Sequence, residues 1–219
     1  MAKTADRRGA RGVAGLLAAV LACSVLAGCG ATDEAKVAGA QVYGTYLSVY
    51  TSLPLSGPDA RAGNDILNGE RLAFSQRDGK IGDFILNFVS LNAVSGDGTE
   101  TGNGQVALNA RRAVTDPGSI AYIGDYGKSQ TRLSRVIVVD QAQLLQVAPS
   151  EGWKGLPGGR EPAPGFRDAY RKAFGQEPSD DALYGYEAMS DVLDAIERAG
   201  KEGGNRIAVA DAFRAGPGN

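Results

Sequence analysis

The sequence predicts an α/β fold: a parallel sheet of about four strands with helices on both faces, followed by C-terminal helices. Two observations carry this. Between residues 42 and 149, short runs rich in Val, Ile, Leu and Tyr alternate with segments whose apolar residues recur at helical spacing. Beyond residue 165 the strand-like runs stop and only helical patterns remain. Repeated strand–helix–strand order is what right-handed crossovers between parallel strands require.

The elements follow in order. Val42–Ser52 reads as the first strand, and Leu53–Pro58 as a turn-rich loop. From Asp59 to Gln76, Ala62, Ile66, Leu67, Ala73 and Phe74 share one helical face. Phe84–Leu91 is a near-continuous apolar run and predicts a buried second strand. Ser95–Gly104 is a glycine-rich loop; its Asp97, Glu100 and Asn103 do not match the spacing of a calcium-binding loop. Val106, Ala110, Ala113 and Val114 predict a helix stopped by Asp116-Pro117-Gly118. Ile120–Gly124 is the third strand. Leu133, Val136 and Ile137 mark the next helix, and Leu144–Ala148 the fourth strand.

Residues 150–165 are rich in Gly and Pro and predict a loop. Phe166, Ala169, Tyr170, Ala173 and Phe174 then form a helical stripe that ends at Gly175. Ser179 is placed to cap a long helix with Asp180 and Asp181 in its first turn and a face of Ala182, Tyr186, Met189, Leu193 and Ile196. Gly200 stops it, and a last helix starts at Asn205 with Val209 and Phe213.

The N-terminus has its own organisation. Lys3, Arg7, Arg8 and Arg11 precede an apolar run from Val13 to Ala27, which small residues connect to Cys29. This is the three-part layout of a secretory signal. The run is shorter than the roughly 20 residues a spanning helix needs. Leu26-Ala27-Gly28-Cys29 resembles a bacterial lipobox. That resemblance implies cleavage after residue 28 and a diacylglyceryl group on Cys29, which holds the chain on a membrane. The expected organisation is therefore signal peptide 1–28, acylated Cys29 and tether 29–41, α/β lobe 42–149, loop 150–165 and C-terminal helices 166–215.

Composition excludes several functions. The segment before Cys29 holds four Lys/Arg and one Asp, so the processed chain has 19 basic and 24 acidic side chains and a net charge of −5. A nucleic-acid partner would want a basic domain. There is no histidine, which removes Ser-His-Asp and Cys-His catalysis and the common zinc sites. No Gly-x-Ser-x-Gly elbow is present either. The chain reads as a non-enzyme without a cofactor or metal.

In an open parallel sheet, ligands bind beyond the carboxyl ends of the strands where the strand order reverses. With the third strand on the far side of the first, that point lies among the loops Leu53–Pro58, Asp125–Lys128 and Pro149–Trp153. Ser129, Gln130 and Thr131 open a helix there, where free N–H groups and the helix dipole attract an anion. Ser129 or Thr131 equally suits a helix-capping role, and Lys128 is either a ligand contact or a solvated loop charge. Gly127-Lys128-Ser129 is not a nucleotide-binding P-loop, because Tyr122 stands where that motif needs its first glycine. Glu151 is placed to meet an ammonium group and Trp153 to cover an apolar side chain, and both equally suit ordinary surface positions. Ser56, Tyr126 and Trp153 rim the pocket, whereas Tyr46 and Tyr50 suit core or rim positions.

Val49-Tyr50-Thr51-Ser52-Leu53-Pro54-Leu55-Ser56-Gly57-Pro58 with Asn68-Gly69 resembles the start of the branched-chain amino-acid (Leu/Ile/Val) binding proteins of ABC importers. Ala121-Tyr122-Ile123-Gly124-Asp125-Tyr126 with Thr131, Gln146-Val147-Ala148-Pro149-Ser150, Phe166–Gly175 and Tyr184–Met189 resemble further motifs of that family. The resemblance implies the first lobe of a type I periplasmic-binding-protein fold, a small-molecule ligand such as an amino acid or small amide, and an ABC permease as partner. It implies that Lys128–Thr131 and Ser150, Glu151 and Gly152 hold the ligand's carboxylate and ammonium. Two departures stand out. Lys128 and Glu151 are charged where the family tends to small or hydroxyl residues. The loop 150–165 also stands where the family has a second α/β lobe. An interaction or regulatory lipoprotein that has lost its ligand is the alternative expectation.

Overall fold

The computed structural model describes residues 40–96, 98, 101–149 and 164–216. All lie in one compact unit, Lys36–Asn219. The predicted signal peptide, Cys29 and most of the tether fall outside the described residues.

At the centre is β1 (Tyr46–Leu53), flanked in parallel by β3 (Phe84–Asn92) and β4 (Ser119–Gly124). β5 (Leu145–Val147) lies parallel beside β4, and the two-residue β2 (Lys80–Ile81) runs antiparallel along β3. The order is β2-β3-β1-β4-β5. Val49 sits opposite Phe88 on one side and Ala121 on the other, and Ser52 opposite Leu91 and Gly124. Because side chains alternate along a strand, β1 feeds two cores. Leu47 and Val49 serve one face of the sheet, Tyr50 the other.

Six α-helices cover the sheet among the described residues: α1 (Ala60–Ser75), α2 (Asn103–Thr115), α3 (Lys128–Arg135), α4 (Phe166–Phe174), α5 (Asp180–Ala199) and α6 (Arg206–Ala215). On one face, Met189, Val192, Leu193 and Ile196 of α5 and Val209 of α6 pack on Leu47, Val49, Ile123 and Val147. On the other, Ala110 and Ala113 of α2 join Tyr50, Leu91 and Tyr122. α4 lays Phe166 and Tyr170 against Leu72 and Ala182, with the rings of Phe166 and Tyr186 4.8 Å apart between centroids.

Local sequence explains the helix limits. Ser179 Oγ accepts from the Ala182 N–H at 3.2 Å at the start of α5, with Asp180 and Asp181 behind it. Asn205 Oδ1 accepts from the N–H groups of Ile207 and Ala208 at 3.0 and 3.2 Å to start α6. α1 and α5 approach until their backbones touch. A Cβ on Gly69 would lie 1.9 Å from the Ala182 carbonyl oxygen, and one on Gly185 2.0 Å from that of Ile66.

Beside the four parallel strands that the sequence predicts, the sheet gains the antiparallel β2, because two residues are too few to show a period. Three expectations need correction. β1 starts at Tyr46, since Val42 donates its N–H to the Gly204 carbonyl at 2.8 Å instead and Gly44 bends the chain at a φ of 93°. β3 is not uniformly buried: only Leu86 and Leu91 are, because short β2 leaves its outer side partly open. Val136 is 51% exposed, not part of the buried face. After α3 the helix widens into a π-helical stretch, Val136–Gln141, which rotates Ile137 and Val138 inward in its place.

Candidate functional site

The carboxyl ends of β1, β4 and β5 lie at the same end of the sheet because the three strands are parallel. The chain leaves β1 towards β3 on one side and returns with β4 on the other, so the strand order reverses there.

α3 begins at this point. Its N-cap is Gly127, which has no side chain, and no side chain caps the helix among the described residues. Neither Ser129 nor Thr131 serves as a cap, against that expectation. Thr131 Oγ1 turns back into the loop, donating within reach of the Gly127 carbonyl at 2.9 Å and the Asp125 carbonyl at 3.0 Å. Ser129 Oγ donates to Gln130 Oε1 at 2.7 Å. Lys128 and Ser129 are exposed, and Gln130 and Thr131 are half-buried. The four therefore stand together at a helix N-terminus whose first N–H groups meet no capping side chain. The helix dipole gives that end partial positive charge, and Lys128 adds a formal one. Gly127 has a φ of 99°, and a Cβ on it would meet Gln130 Oε1 at 2.8 Å. Glycine thus both permits the turn and leaves room for the Gln130 amide.

The loop after β1 leaves from the same end of the sheet. Its shape is set by Asn92 at the end of β3, which sequence reasoning missed. Asn92 Oδ1 accepts from the Leu55 and Val94 N–H groups at 3.0 and 3.1 Å. Asn92 Nδ2 donates to Ser56 Oγ at 2.9 Å, fixing that hydroxyl. Tyr126 is half-buried and packs with Leu55 against Leu53, Ile66 and Leu67. Tyr50 is buried, whereas Tyr46 is 67% exposed at the opposite, amino end of β1 and so is remote from this site. Ser150, Glu151, Gly152 and Trp153 lie outside the described residues.

Beneath α3 lies a polar layer, also missed. Gln146 Nε2 points at the Gly124 carbonyl, the Thr131 carbonyl and Ser134 Oγ, at 3.0, 3.2 and 2.7 Å. It ties α3 to the end of β4. A glutamine inside the apolar run Leu144–Ala148 was the available signal. Asp125 is fully buried, and Tyr122 Oη donates to its Oδ1 at 3.0 Å. Burial pushes the Asp125 carboxyl up to about 6, with the Ser134, Ser52 and Tyr122 hydroxyls opposing the shift. The Tyr122 hydroxyl is also raised, first by burial and then by the Asp125 charge. On the other face, Glu70 is fully buried with Thr51 Oγ1 donating to its Oε1 at 3.0 Å, and burial raises it well above the usual carboxylate range.

Among the described residues, no group of His, Cys, Asp and Glu is placed to hold a metal ion. No described helix is long and apolar enough to cross a membrane. What these loops offer is a cationic helix end and a hydroxyl fixed by Asn92, chemistry that suits a small anion.

No protein-family model matches the chain, and no curated protein matches it. Solved structures do. The branched-chain amino-acid transporter substrate-binding protein LivJ from Streptococcus pneumoniae, in complex with isoleucine, is similar with a TM-score of 0.62 at 11% identity, over 77% of this chain and 87% of that one. An ABC transporter substrate-binding protein from Desulfitobacterium hafniense in complex with Leu is similar with a TM-score of 0.62 at 12% identity, over 78% and 89%. A solute-binding protein from R. palustris in complex with benzoate has a TM-score of 0.63 at 10% identity, over 77% and 85%. The mostly parallel five-stranded sheet, its helices and these likenesses give the chain the type I periplasmic-binding fold.

Proposed function

We propose that the protein is a lipid-anchored substrate-binding protein of an ABC importer for branched-chain or related amino acids. The observation that carries this is the uncapped N-terminus of α3 at the point where the strand order reverses. The ligands in the three similar structures are isoleucine, leucine and benzoate, and all bear a carboxylate. A carboxylate suits a helix N-terminus with Lys128 beside it. Ser129 and Gln130 flank that position, and Thr131 holds the turn in shape. Ser150, Glu151 and Gly152, which follow β5, supply the ammonium side, with Ser56, Tyr126 and Trp153 at the rim. Cys29 carries the lipid that keeps the receptor at the extracytoplasmic face of the membrane, beside its permease.

A second function, an interaction or regulatory lipoprotein, is favoured by one feature. Only residues 148–165 separate β5 from α4, so the described residues provide one sheet and one set of loops to enclose a ligand.

Thermal melts of residues 30–219 against a panel of amino acids and small amides separate the two. Ligand at 100 times its dissociation constant stabilises the folded state by about 2.7 kcal/mol. Lys128→Ala should abolish the shift given by carboxylate-bearing ligands; an unchanged shift removes Lys128 from the site. A cooperative melt that no ligand raises rejects the receptor function in favour of the interaction one.

A further inference from the structure

On the α2–α3 side of the sheet, the outward helix positions carry cations and no anions. Arg111 and Arg112 lie on α2, Arg132 and Arg135 on α3, and all four are exposed. The spacing puts each pair on the outer stripe of its helix, with the buried Ala110, Ala113 and Ser134 on the inner sides. Neither helix contains an acidic residue. Asp116, just after α2, is engaged by the Tyr50 hydroxyl at 2.9 Å and the Gly118 N–H at 2.8 Å. Asp125 is buried, and Asp140 lies beyond α3 in the π-helical stretch.

Among the described residues, none of these four arginines has an ion-pair partner. On the opposite layer, Arg77 bonds Asp194 and Glu197, Arg171 bonds Asp168 and Glu177, and the exposed Arg61 and Arg71 of α1 share their helix with Asp65 and Glu70. The chain as a whole is acidic, with a net charge of −2. Two adjacent helices with four exposed guanidinium groups and no acidic residue are a local departure, not a reflection of bulk composition. Its second property is apolar. Leu108, one turn before Arg111 and Arg112, is 57% exposed, and Val136, next to Arg135, is 51% exposed.

We propose that the α2–α3 face binds an anionic phospholipid surface. Phosphate headgroups match the forked donors of arginine, and the acyl boundary below them accepts Leu108 and Val136. A bilayer presents both chemistries side by side over the breadth of two packed helices, and anionic headgroups attract basic side chains held near them. The inference goes beyond amino-acid binding and does not require it; the ligand melts and the lipid measurements below fail separately.

The test is flotation of the unacylated chain from Gly30 with vesicles of phosphatidylcholine alone and of phosphatidylcholine with phosphatidylglycerol. Binding to the anionic vesicles only, weakening as salt rises, is expected. Arg111→Glu with Arg132→Glu should lower that binding by about 25-fold or more, at about fivefold per arginine. The control is Arg61→Glu with Arg71→Glu, two exposed arginines of α1 with the same change in charge; it should leave binding largely intact. Equal binding to both vesicle types, or an equal loss in both double variants, overturns the proposal. So does capture by soluble polyglutamate without binding to either vesicle. A second measurement uses the full chain in the same two bilayers. Amide exchange in α2 and α3 should slow in the anionic one alone, and identical exchange in the two also overturns it.

Discussion

At the scale of single residues, Asp125 holds a charge-bearing group where charge is disfavoured. Burial pushes its carboxyl up to about 6, against about 3.9 for an aspartate in an unfolded chain. The folded state therefore holds this proton more tightly than the unfolded one does. Its contribution is fully present below about pH 4 and is lost as pH rises through about 6. The difference between the two states corresponds to about 3 kcal/mol. Glu70 acts in the same direction. Asp125→Asn keeps an acceptor for the Tyr122 hydroxyl but has nothing to ionise. Denaturant unfolding between about pH 4 and 7 should show the wild type losing stability relative to Asp125→Asn by up to that amount. A difference independent of pH would rule the assignment out. Arg206 is the opposite case, a buried guanidinium that meets carbonyls instead of acids. It donates to the Ser119 carbonyl at 2.9 Å and reaches those of Ala142 and Asp116 at 3.4 Å. Arg206→Ala should destabilise the fold by about 2 kcal/mol, read from the shift in the unfolding midpoint, because it leaves buried carbonyls without a donor.

At the scale of elements, the contact between α1 and α5 depends on having nothing on two Cα atoms. Gly185→Ala places a methyl group 2.0 Å from the Ile66 carbonyl oxygen, so the helices must separate. Arg77 then draws away from Asp194 and Glu197. A loss of about 1–3 kcal/mol is expected from overpacking, measured by thermal or denaturant unfolding. A Tm equal to the wild type would mean the helices have slack. Elements announced by periodicity and caps were legible in the sequence. Ser179, Asn205 and Gly175 mark helix ends by local chemistry, and they do so in the structure. β2 was not legible because it exists only by pairing with β3. The π-helical stretch was not, since periodicity assumes the α repeat and Val136 follows a different one.

At the scale of the whole molecule, the C-terminal helices complete the lobe. Met189, Val192, Leu193, Ile196 and Val209 form one core with Leu47, Val49 and Ile123. A chain ending at Pro149 keeps all five strands but exposes one face of the sheet, and it should show no cooperative thermal transition by circular dichroism. A sharp transition would show that the sheet and its first three helices suffice. The reversal of strand order at β1 was legible, and it directs attention to the loops after β1, β4 and β5. The aim of its side chains was not. Thr131 turns inward, Asn92 governs Ser56 from another strand, and Gln146 holds α3 from below, and each of these depends on a neighbour distant in sequence.

The pairing of α1 with α5 also has a consequence in time. Arg77 meets Glu197 across 120 residues of chain, and Asp65 accepts from Ser179 across 114. Contacts of such separation carry a large loop-closure cost before they are rewarded, and they slow folding. As the chain is made from its N-terminus, α1 and the strands wait with an uncovered apolar face until α5 exists. The lobe therefore stays in an open, unfinished state until α5 has been made.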